Sequence, residues 1–228
     1  MSIVEVFAAK LDRELEDDEF SRLLALVSDE KRRRILSLKK RPDAARSLVG
    51  DVLARVLICE RLGIENRNLE FCKNEWGKPF IGNLPGIHFN TAHSGQWVAV
   101  CIDALPSGID IQKVKNVDIK LAKRFFSQKE YEFIMSLPEH KRQDCFFEIW
   151  TLKESYVKAV GKGISVLFRS FAIYEEDGNI KVVDENGEGE YFFRKYSIDS
   201  DYKMAVCSLN SRISENAKVM NLDEVLNK

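Results

Sequence analysis

The order of secondary-structure elements occurs twice along this chain, and that repetition most strongly limits the folds open to it. In each half a long helix precedes antiparallel strands, and the halves join near residues 104–108. An acidic helix is predicted first, over about residues 12–27. The first long helix is predicted over about residues 44–62, with a wide apolar face and Gly63 as its stop. The second contains residues 150–163, which read WTLKESYVKAVGKG. We expect an α+β body of two lobes with a site at the seam between them.

Chain length supports the same division. The 228 residues are long for one compact domain and short for two independent ones. We expect lobes at residues 1–105 and 106–228. The strand WVAVCIDAL is predicted to pair with the next strand, SGIDIQKV, as an antiparallel hairpin. Asp177 and Gly178 form a good hairpin turn, and the polar tail from Ser211 is predicted to be peripheral.

Two segments of the second half place oxygen-bearing side chains in a common direction. Trp150, Glu154 and Lys158 recur every four residues, so they share one face of the predicted helix. In the strand SGIDIQKV, Asp110 and Gln112 project from one face. If the helix packs across that face, Asp110, Gln112 and Glu154 converge as ligands for Mg²⁺ bound together with a phosphate-bearing substrate.

Each of these pairs also has a simpler interpretation. A Glu four residues before a Lys is a favourable pair on any solvated helix. Asp110 and Gln112 on an edge strand can equally face solvent.

Basic residues cluster between residues 31 and 46, almost without acids. The cluster predicts either a solvated helix face or a clamp for a polyphosphate, because charge-assisted hydrogen bonds from Arg and Lys are strong. Nucleic acid is a weaker alternative, since the net charge is -1 and no RNA- or DNA-binding motif accompanies the cluster. The residues are Lys31, Arg32, Arg33, Arg34, Lys39, Lys40, Arg41 and Arg46.

Three further polar sites in the sequence have more than one interpretation when each is considered alone. His93, in NTAHSG, is predicted to lie in a loop after a strand, as a neutral residue in a local network or as a donor to phosphate oxygens. Lys78 in WGKP and the GKG of residues 161–163 are similarly ambiguous.

Cysteine usage and hydropathy bear on location. The five cysteines are scattered, mostly in apolar runs, without a disulfide or metal spacing. They predict buried free thiols in a reducing cytosol. The N-terminal segment is too acidic for a signal peptide, and no stretch is long enough to span a bilayer. We expect a cytoplasmic protein that binds neither membrane nor nucleic acid.

Five segments together resemble the 4'-phosphopantetheinyl transferases of the surfactin-synthetase-activating (Sfp) type. They are WGKP, FNTAHSG, GIDIQ, FF followed by S-x-x-E-x-x-F, and WTLKESYVKAVGKG, in the family's order and approximate spacing. The resemblance implies a monomer of two similar α/β lobes related by pseudo-twofold symmetry, with coenzyme A in the cleft. It also implies Mg²⁺-dependent transfer of the phosphopantetheine arm to a serine of an apo acyl or peptidyl carrier protein, with release of 3',5'-ADP.

The resemblance also implies roles for individual residues. Asp110 and Glu154 match metal-binding carboxylates, and Glu154, or a water that it holds, is the proposed base for the carrier serine. Lys158 matches a lysine near the transferring phosphate. Residues implied to bind coenzyme A are Lys31, Arg34, Arg46, Ser47, Lys78, His93 and Lys158.

The sequence departs from the family pattern at two positions. Gln112 stands where many relatives have a third acid, and Ala92 where some have a serine. Glutamine still offers a neutral oxygen, and Mg²⁺ completes its octahedron with waters and diphosphate oxygens. We expect activity, and the alternative is a catalytically impaired module that binds coenzyme A. The pathway of the carrier (fatty acid, polyketide or nonribosomal peptide) stays open.

Overall fold

A four-stranded sheet forms the centre of the first half. The computed structural model describes residues 3–163, 166–184 and 189–227. In this sheet the strand order is β11-β1-β5-β4, with β1 antiparallel to β5 and parallel to β11. The strands are β1 (Glu5–Lys10), β4 (His88–Ser94), β5 (Trp97–Asp103) and β11 (Lys218–Asn221).

Three helices and a short hairpin accompany this sheet. The 22-residue helix α3 packs on it and ends at Gly63, whose φ of 63° is the left-handed conformation that glycine adopts readily. The acidic helix α1 begins five residues later than predicted, because Glu16 and Glu19 form a capping box there. The elements are α1 (Asp17–Leu26), α2 (Asp29–Leu36), α3 (Arg41–Leu62), β2 (Phe71–Lys73) and β3 (Pro79–Ile81).

The second half contains a three-stranded antiparallel sheet of order β6-β10-β9 and the separate hairpin β7-β8. The hairpin turns at Asp177 and Gly178, as predicted, and both residues have positive φ. A second 22-residue helix, α6, packs on β6 and β10. The elements are β6 (Ser107–Lys113), α4 (Leu121–Phe125), α5 (Gln128–Ser136), α6 (Glu139–Val160), β7 (Ala172–Glu176), β8 (Asn179–Val183), β9 (Phe192–Tyr196), β10 (Tyr202–Ser208) and α7 (Leu222–Leu226).

Alternation along the strands builds four layers. In β5, Val98 and Val100 face α3, whereas Ala99 faces the second sheet. In β10, Val206 faces the first sheet, and Ala205 faces α6. The order of layers is therefore helix α3, first sheet, second sheet, helix α6.

The predicted hairpin between β5 and β6 is wrong. β5 pairs with β1 and β4, while β6 pairs with β10. The turn between them carries the chain from one sheet to the other. It is held by the buried Asp103, which accepts hydrogen bonds from Ser208, Asn210 and the backbone of Ala104.

The prediction of a peripheral tail is also wrong. β11 extends the first sheet beside β1, and α7 packs on these two strands and places Leu222 and Val225 in the core to which α3 also contributes. The tail therefore packs with the first half, although it follows the second half in sequence.

The edges of the two sheets meet at β4 and β6. The side chain of Asn90 accepts a hydrogen bond from the backbone N–H of Ile109 at 3.0 Å, and that of Ser94 accepts one from Lys113 at 3.0 Å. Side chains thus replace a backbone ladder where the halves join.

Thiol burial follows the prediction only in part. Cys101 and Cys207 are buried, Cys59 and Cys145 are partly buried, and Cys72 is exposed. Among the described residues, no helix combines the length and the apolar character that crossing a bilayer requires.

Candidate active site

The site begins where α6 crosses β6. A Cβ atom at Gly108 would lie 2.2 Å from the carbonyl oxygen of Ser155 and 2.5 Å from the backbone nitrogen of Ala159. Only glycine allows strand and helix to approach this closely. The face of β6 that carries Gly108 also carries Asp110 and Gln112, so the helix packs across the polar face, as predicted.

Asp110 and Lys158 form an ion pair in this contact. The Lys158 ammonium lies 2.6 Å from Asp110 Oδ1 and donates to the carbonyl of Ile109 at 3.0 Å. Gln112 Nε2 donates to Asp110 Oδ2 at 3.1 Å. Burial raises the pKa of the Asp110 carboxyl, and the Lys158 charge opposes that rise.

Glu154 lies one turn before Lys158, on the same side of α6. Both line an open cavity of about 480 Å³, together with Trp150. Burial, and next the negative charge of Asp110, raise the pKa of Glu154. The structure therefore brings together Asp110, Glu154 and Lys158, although they lie in segments more than forty residues apart in sequence.

When two carboxylates lie close together, the charge of each makes ionisation of the other less favourable. A hard cation bound by both would relieve that repulsion. Asp110 and Glu154 supply the charged oxygens of such a set, and the Lys158 ammonium now supplies positive charge to one of them. No group of three or more His, Cys, Asp or Glu side chains is placed to hold a metal within the described ranges. The amide nitrogen of Gln112, rather than its oxygen, faces Asp110.

His93 lies in strand β4, so the predicted loop position is wrong. Its side chain projects from the face of the sheet on which α3 packs, partly open to solvent and partly shielded by the surrounding protein. Loss of solvation, and then the positive charges of Arg46, Lys158 and Lys31, lower the pKa of His93 to about 4. The imidazole is therefore neutral at pH 7 and lies among cations, a setting suited to an anion.

Four of the other predicted residues lie on α2 and α3, and two of them, Arg46 and Lys31, act on the charge of His93. Arg46 donates to the carbonyl of Gly95 at 2.9 Å and pairs with Asp43. The Lys31 ammonium lies 3.6 Å from Asp51, and burial lowers its pKa. Arg34 is exposed at the end of α2, and Ser47 is partly buried on α3 beside Arg46.

Lys78 lines the cavity near Glu154 and Lys158, but its ammonium is directed elsewhere. It donates to the carbonyls of Ser107 at 3.1 Å and of Ala159 at 3.2 Å. Burial lowers its pKa.

Aromatic side chains form one wall of the cavity. The ring of Trp150 packs edge-on against Phe125 and Phe168 and stacks on Phe146. Trp76 lines the cavity from the first half and is more exposed. The cavity is thus apolar on its sides and charged at the β6–α6 contact.

Two family models match adjoining parts of the chain. Residues 14–104 match the model described as 4'-phosphopantetheinyl transferase, N-terminal, and residues 106–207 match that of the 4'-phosphopantetheinyl transferase superfamily. Over 224 residues the chain is 34% identical to the 4'-phosphopantetheinyl transferase Sfp of Bacillus subtilis (strain 168), covering 98% of this chain and 100% of that protein. The chain belongs to the Sfp-type 4'-phosphopantetheinyl transferase family.

Other relatives of this transferase agree. The 4'-phosphopantetheinyl transferase gsp of Aneurinibacillus migulanus is 36% identical over 212 residues, covering 93% of this chain and 89% of that protein. Among solved structures, the holo-[acyl-carrier-protein] synthase of Thermotoga maritima is 23% identical with a TM-score of 0.41, covering 47% of this chain and 64% of that one. That structural likeness is too partial to bear on the site.

Sequence reasoning missed a buried ion pair behind the transferase site. The Lys153 ammonium lies 3.0 Å from Glu130 Oε1 and donates to the carbonyls of Phe168 and Phe171. Glu130 also accepts from the backbone of Ser127 and Ile173, so the pair joins α5, α6 and β7. The Ser127-x-x-Glu130 capping box gave a signal in the sequence, but nothing there indicated its partner.

Proposed function

We propose that this protein transfers the 4'-phosphopantetheine arm of coenzyme A to a serine of an apo acyl or peptidyl carrier protein. The observation that supports it best is the convergence of Asp110, Glu154 and Lys158 at one end of an apolar cavity, in a chain of this family. Coenzyme A is the co-substrate, and 3',5'-ADP is the product.

Coenzyme A would bind with its phosphates toward the basic residues. Arg46, Lys158 and Lys31 all lie close enough to His93 for their charges to lower its pKa. Arg34 and Ser47 flank them from α2 and α3, and we assign them to the outer phosphate. Lys78 differs, because backbone carbonyls already hold its ammonium.

Mg²⁺ fits the pair Asp110 and Glu154, with Gln112 beside them as a neutral neighbour. When bound, it supplies positive charge to the diphosphate oxygens. The chain's own residues do the remaining work. Lys158 neutralises charge on the transferring phosphate, since it lines the cavity and its ammonium lies beside the Asp110 carboxylate.

The transfer itself needs one proton acceptor. The serine oxygen of the carrier forms a bond to the β-phosphorus while the bond from that phosphorus to the oxygen of 3',5'-ADP breaks. Glu154 takes the serine proton, directly or through a water. In the metal-free protein, burial and the charge of Asp110 raise the pKa of Glu154, and a carboxylate held beside the serine is placed to take its proton. The 3',5'-ADP leaves with its charge balanced by the basic residues.

We also propose the finer architecture. The two lobes, residues 1–105 and 106–228, are similar and related by pseudo-twofold symmetry, although β11 and α7 of the second pack with the sheet of the first. Each half has a 22-residue helix that ends at a left-handed glycine and packs on a sheet built mainly of antiparallel strands, which supports this relation. We propose a cytoplasmic monomer, which meets its carrier transiently.

Carrier modification tests the function directly. Incubating the protein with coenzyme A, Mg²⁺ and a panel of apo carriers should add the phosphopantetheine mass to the carrier serine. Failure with every carrier, together with tight binding of coenzyme A in calorimetry, would identify the impaired binding module instead.

The base assignment has its own test. Glu154→Gln keeps size and polarity but removes the charge, so we expect kcat to fall by roughly 10²–10⁴-fold. Thermal unfolding and coenzyme A binding should change little. Near-normal turnover of this variant would show that Glu154 is neither base nor metal ligand.

A further inference from the structure

The WGKP turn of the first half and the GKG turn of the second half dock on each other. Asn74 Nδ2 donates to the carbonyl of Gly161 at 2.9 Å. Asn74 Oδ1 meanwhile accepts from the backbone N–H groups of Trp76 at 3.0 Å and Lys78 at 2.8 Å. One side chain therefore shapes its own turn and holds the end of α6.

The Lys78 ammonium also contacts the end of α6. Its two acceptors are Ser107 O at the start of β6 and Ala159 O in the last turn of α6. The C-terminal end of a helix carries unpaired carbonyls and partial negative charge, which favour a cation there. Throughout the described ranges, no carboxylate lies within ion-pair distance of this ammonium, so the carbonyls are its main acceptors.

The close fit depends on glycine in the GKG turn. Gly161 has a φ of 76°, and a Cβ atom there would lie 3.0 Å from Lys78 Cδ. Gly163 also has a positive φ, 56°, and a Cβ atom there would make an ordinary contact of 3.4 Å with the carbonyl oxygen of Trp76. Two segments that were ambiguous in the sequence are thus complementary surfaces of one contact.

We propose that Asn74 and Lys78 are positioning residues, a clasp that fixes the distance between the Trp76 wall of the cavity and the end of α6 that carries Lys158. Lys78 then acts through backbone carbonyls rather than on a phosphate of coenzyme A. The contact itself is independent of the proposed function. Only its consequence for transfer rests on that function.

The clasp sets the width of the cavity because its two sides come from different halves of the chain. Lys158 precedes Ala159 directly, so loss of the Lys78 contact frees the turn that presents Lys158. A misplacement of about 1 Å at a reacting group can lower the rate by roughly a hundredfold. We therefore expect Lys78→Met to lower kcat more than it raises KM for coenzyme A.

Hydrogen exchange tests the contact without any turnover. In Lys78→Met, amides of residues 71–81 and 157–163 should exchange about ten- to a hundredfold faster, as expected for loss of hydrogen bonds from a charged group. Asn74→Ala should affect the same two segments. Lys129→Met, at an exposed position on α5, is the matched control and should change neither.

Calorimetry at several salt concentrations separates the clasp from a phosphate ligand. For a clasp, Lys78→Met leaves the salt dependence of coenzyme A binding unchanged, and Lys78→Arg, which keeps charge and donors, restores slow exchange. A reduced salt dependence with unchanged exchange would overturn the proposal and make Lys78 a phosphate ligand. Unchanged exchange with unchanged binding would overturn it as well. Loss of transfer in the parent protein would count against the function, while the exchange result would still decide the clasp.

Discussion

The side chain of Asp110 shows how the site holds a buried charge. It is buried, and each of its oxygens accepts a hydrogen bond, one from Lys158 and one from Gln112. Burying a carboxylate costs several kcal/mol unless such partners are present. The packing of β6 does not require a charged residue at position 110, because Ile109 and Ile111, on the opposite face of the strand, already fill the hydrophobic core. We infer that Asp110 serves the chemistry of the site rather than the stability of the fold.

The titration of His93 is a direct test of its surroundings. Because its folded pKa of about 4 lies below the ordinary value of 6.5, its contribution to stability is complete above pH 6.5 and is lost as the pH falls through 4. NMR of the imidazole should show this low midpoint. Coenzyme A should raise the midpoint, since its phosphates oppose the charges of Arg46, Lys158 and Lys31. A free-protein midpoint at or above 6.5 would contradict the prediction.

Gln112 offers a test of metal binding. In Gln112→Glu a third carboxylate faces Asp110, so the metal-free protein should lose stability through like-charge repulsion. Mg²⁺ affinity should be retained or raised, and the thermal stabilisation by Mg²⁺ with coenzyme A should be larger than in the parent. Gln112→Ala serves as the control. A large loss of Mg²⁺ binding in Gln112→Glu would show that an acid here does not take part in metal binding.

At the scale of elements, the site depends on the contact between β6 and α6. The strand supplies Asp110, the helix supplies Glu154 and Lys158, and Gly108 lets them approach. On the far side of the helix, the pair Lys153 and Glu130 holds α6 to α5 and β7. The helix is thus fixed from both sides, and neither its length nor its apolar face alone would orient the charged stripe.

Gly108→Ala tests this contact. The added methyl group would meet backbone atoms of α6, so we expect a loss of about 1–3 kcal/mol in unfolding free energy, as overpacking produces. Transfer should fall further than stability suggests, because α6 must shift relative to Asp110. Gly86→Ala is the matched control, since a Cβ atom there meets nothing within 4 Å. Equal activity of the two variants would mean that the helix position is not critical. Denaturant titration and the carrier assay give both values.

At the scale of the molecule, the chain returns to its beginning. β11 pairs with β1, and α7 packs against β1 and β11 with Leu222 and Val225 in the core, so these residues complete the core of the first half. The turn after Asp103 likewise passes the chain between sheets. These two crossings join the halves into one body with the cleft between them.

Substitution of Leu222 tests how much the C-terminal tail contributes to the stability of the fold. Its side chain is fully buried, so Leu222→Ala should lower the unfolding free energy by about 2–5 kcal/mol. Val219→Ala, at an exposed position on β11, should change it by less than about 0.5 kcal/mol. Denaturant titration of both proteins provides the measurement. Equal values would return the tail to a peripheral role.

Local patterns in the sequence determined most of the elements, the family and the charged stripe on α6. Helix stops at Gly63 and Gly161, the Asp177-Gly178 turn and the alternation in β6 depend on neighbours a few residues away, so they can be read directly. The partners of Lys78, the pairing of β6 with β10 and the place of the tail were decided only by tertiary structure. Several strands have edges that could pair with β6, and several helix ends have carbonyls that could accept a hydrogen bond from Lys78. The choice among them depends on how residues far apart in the chain pack into one core, and no local pattern records that.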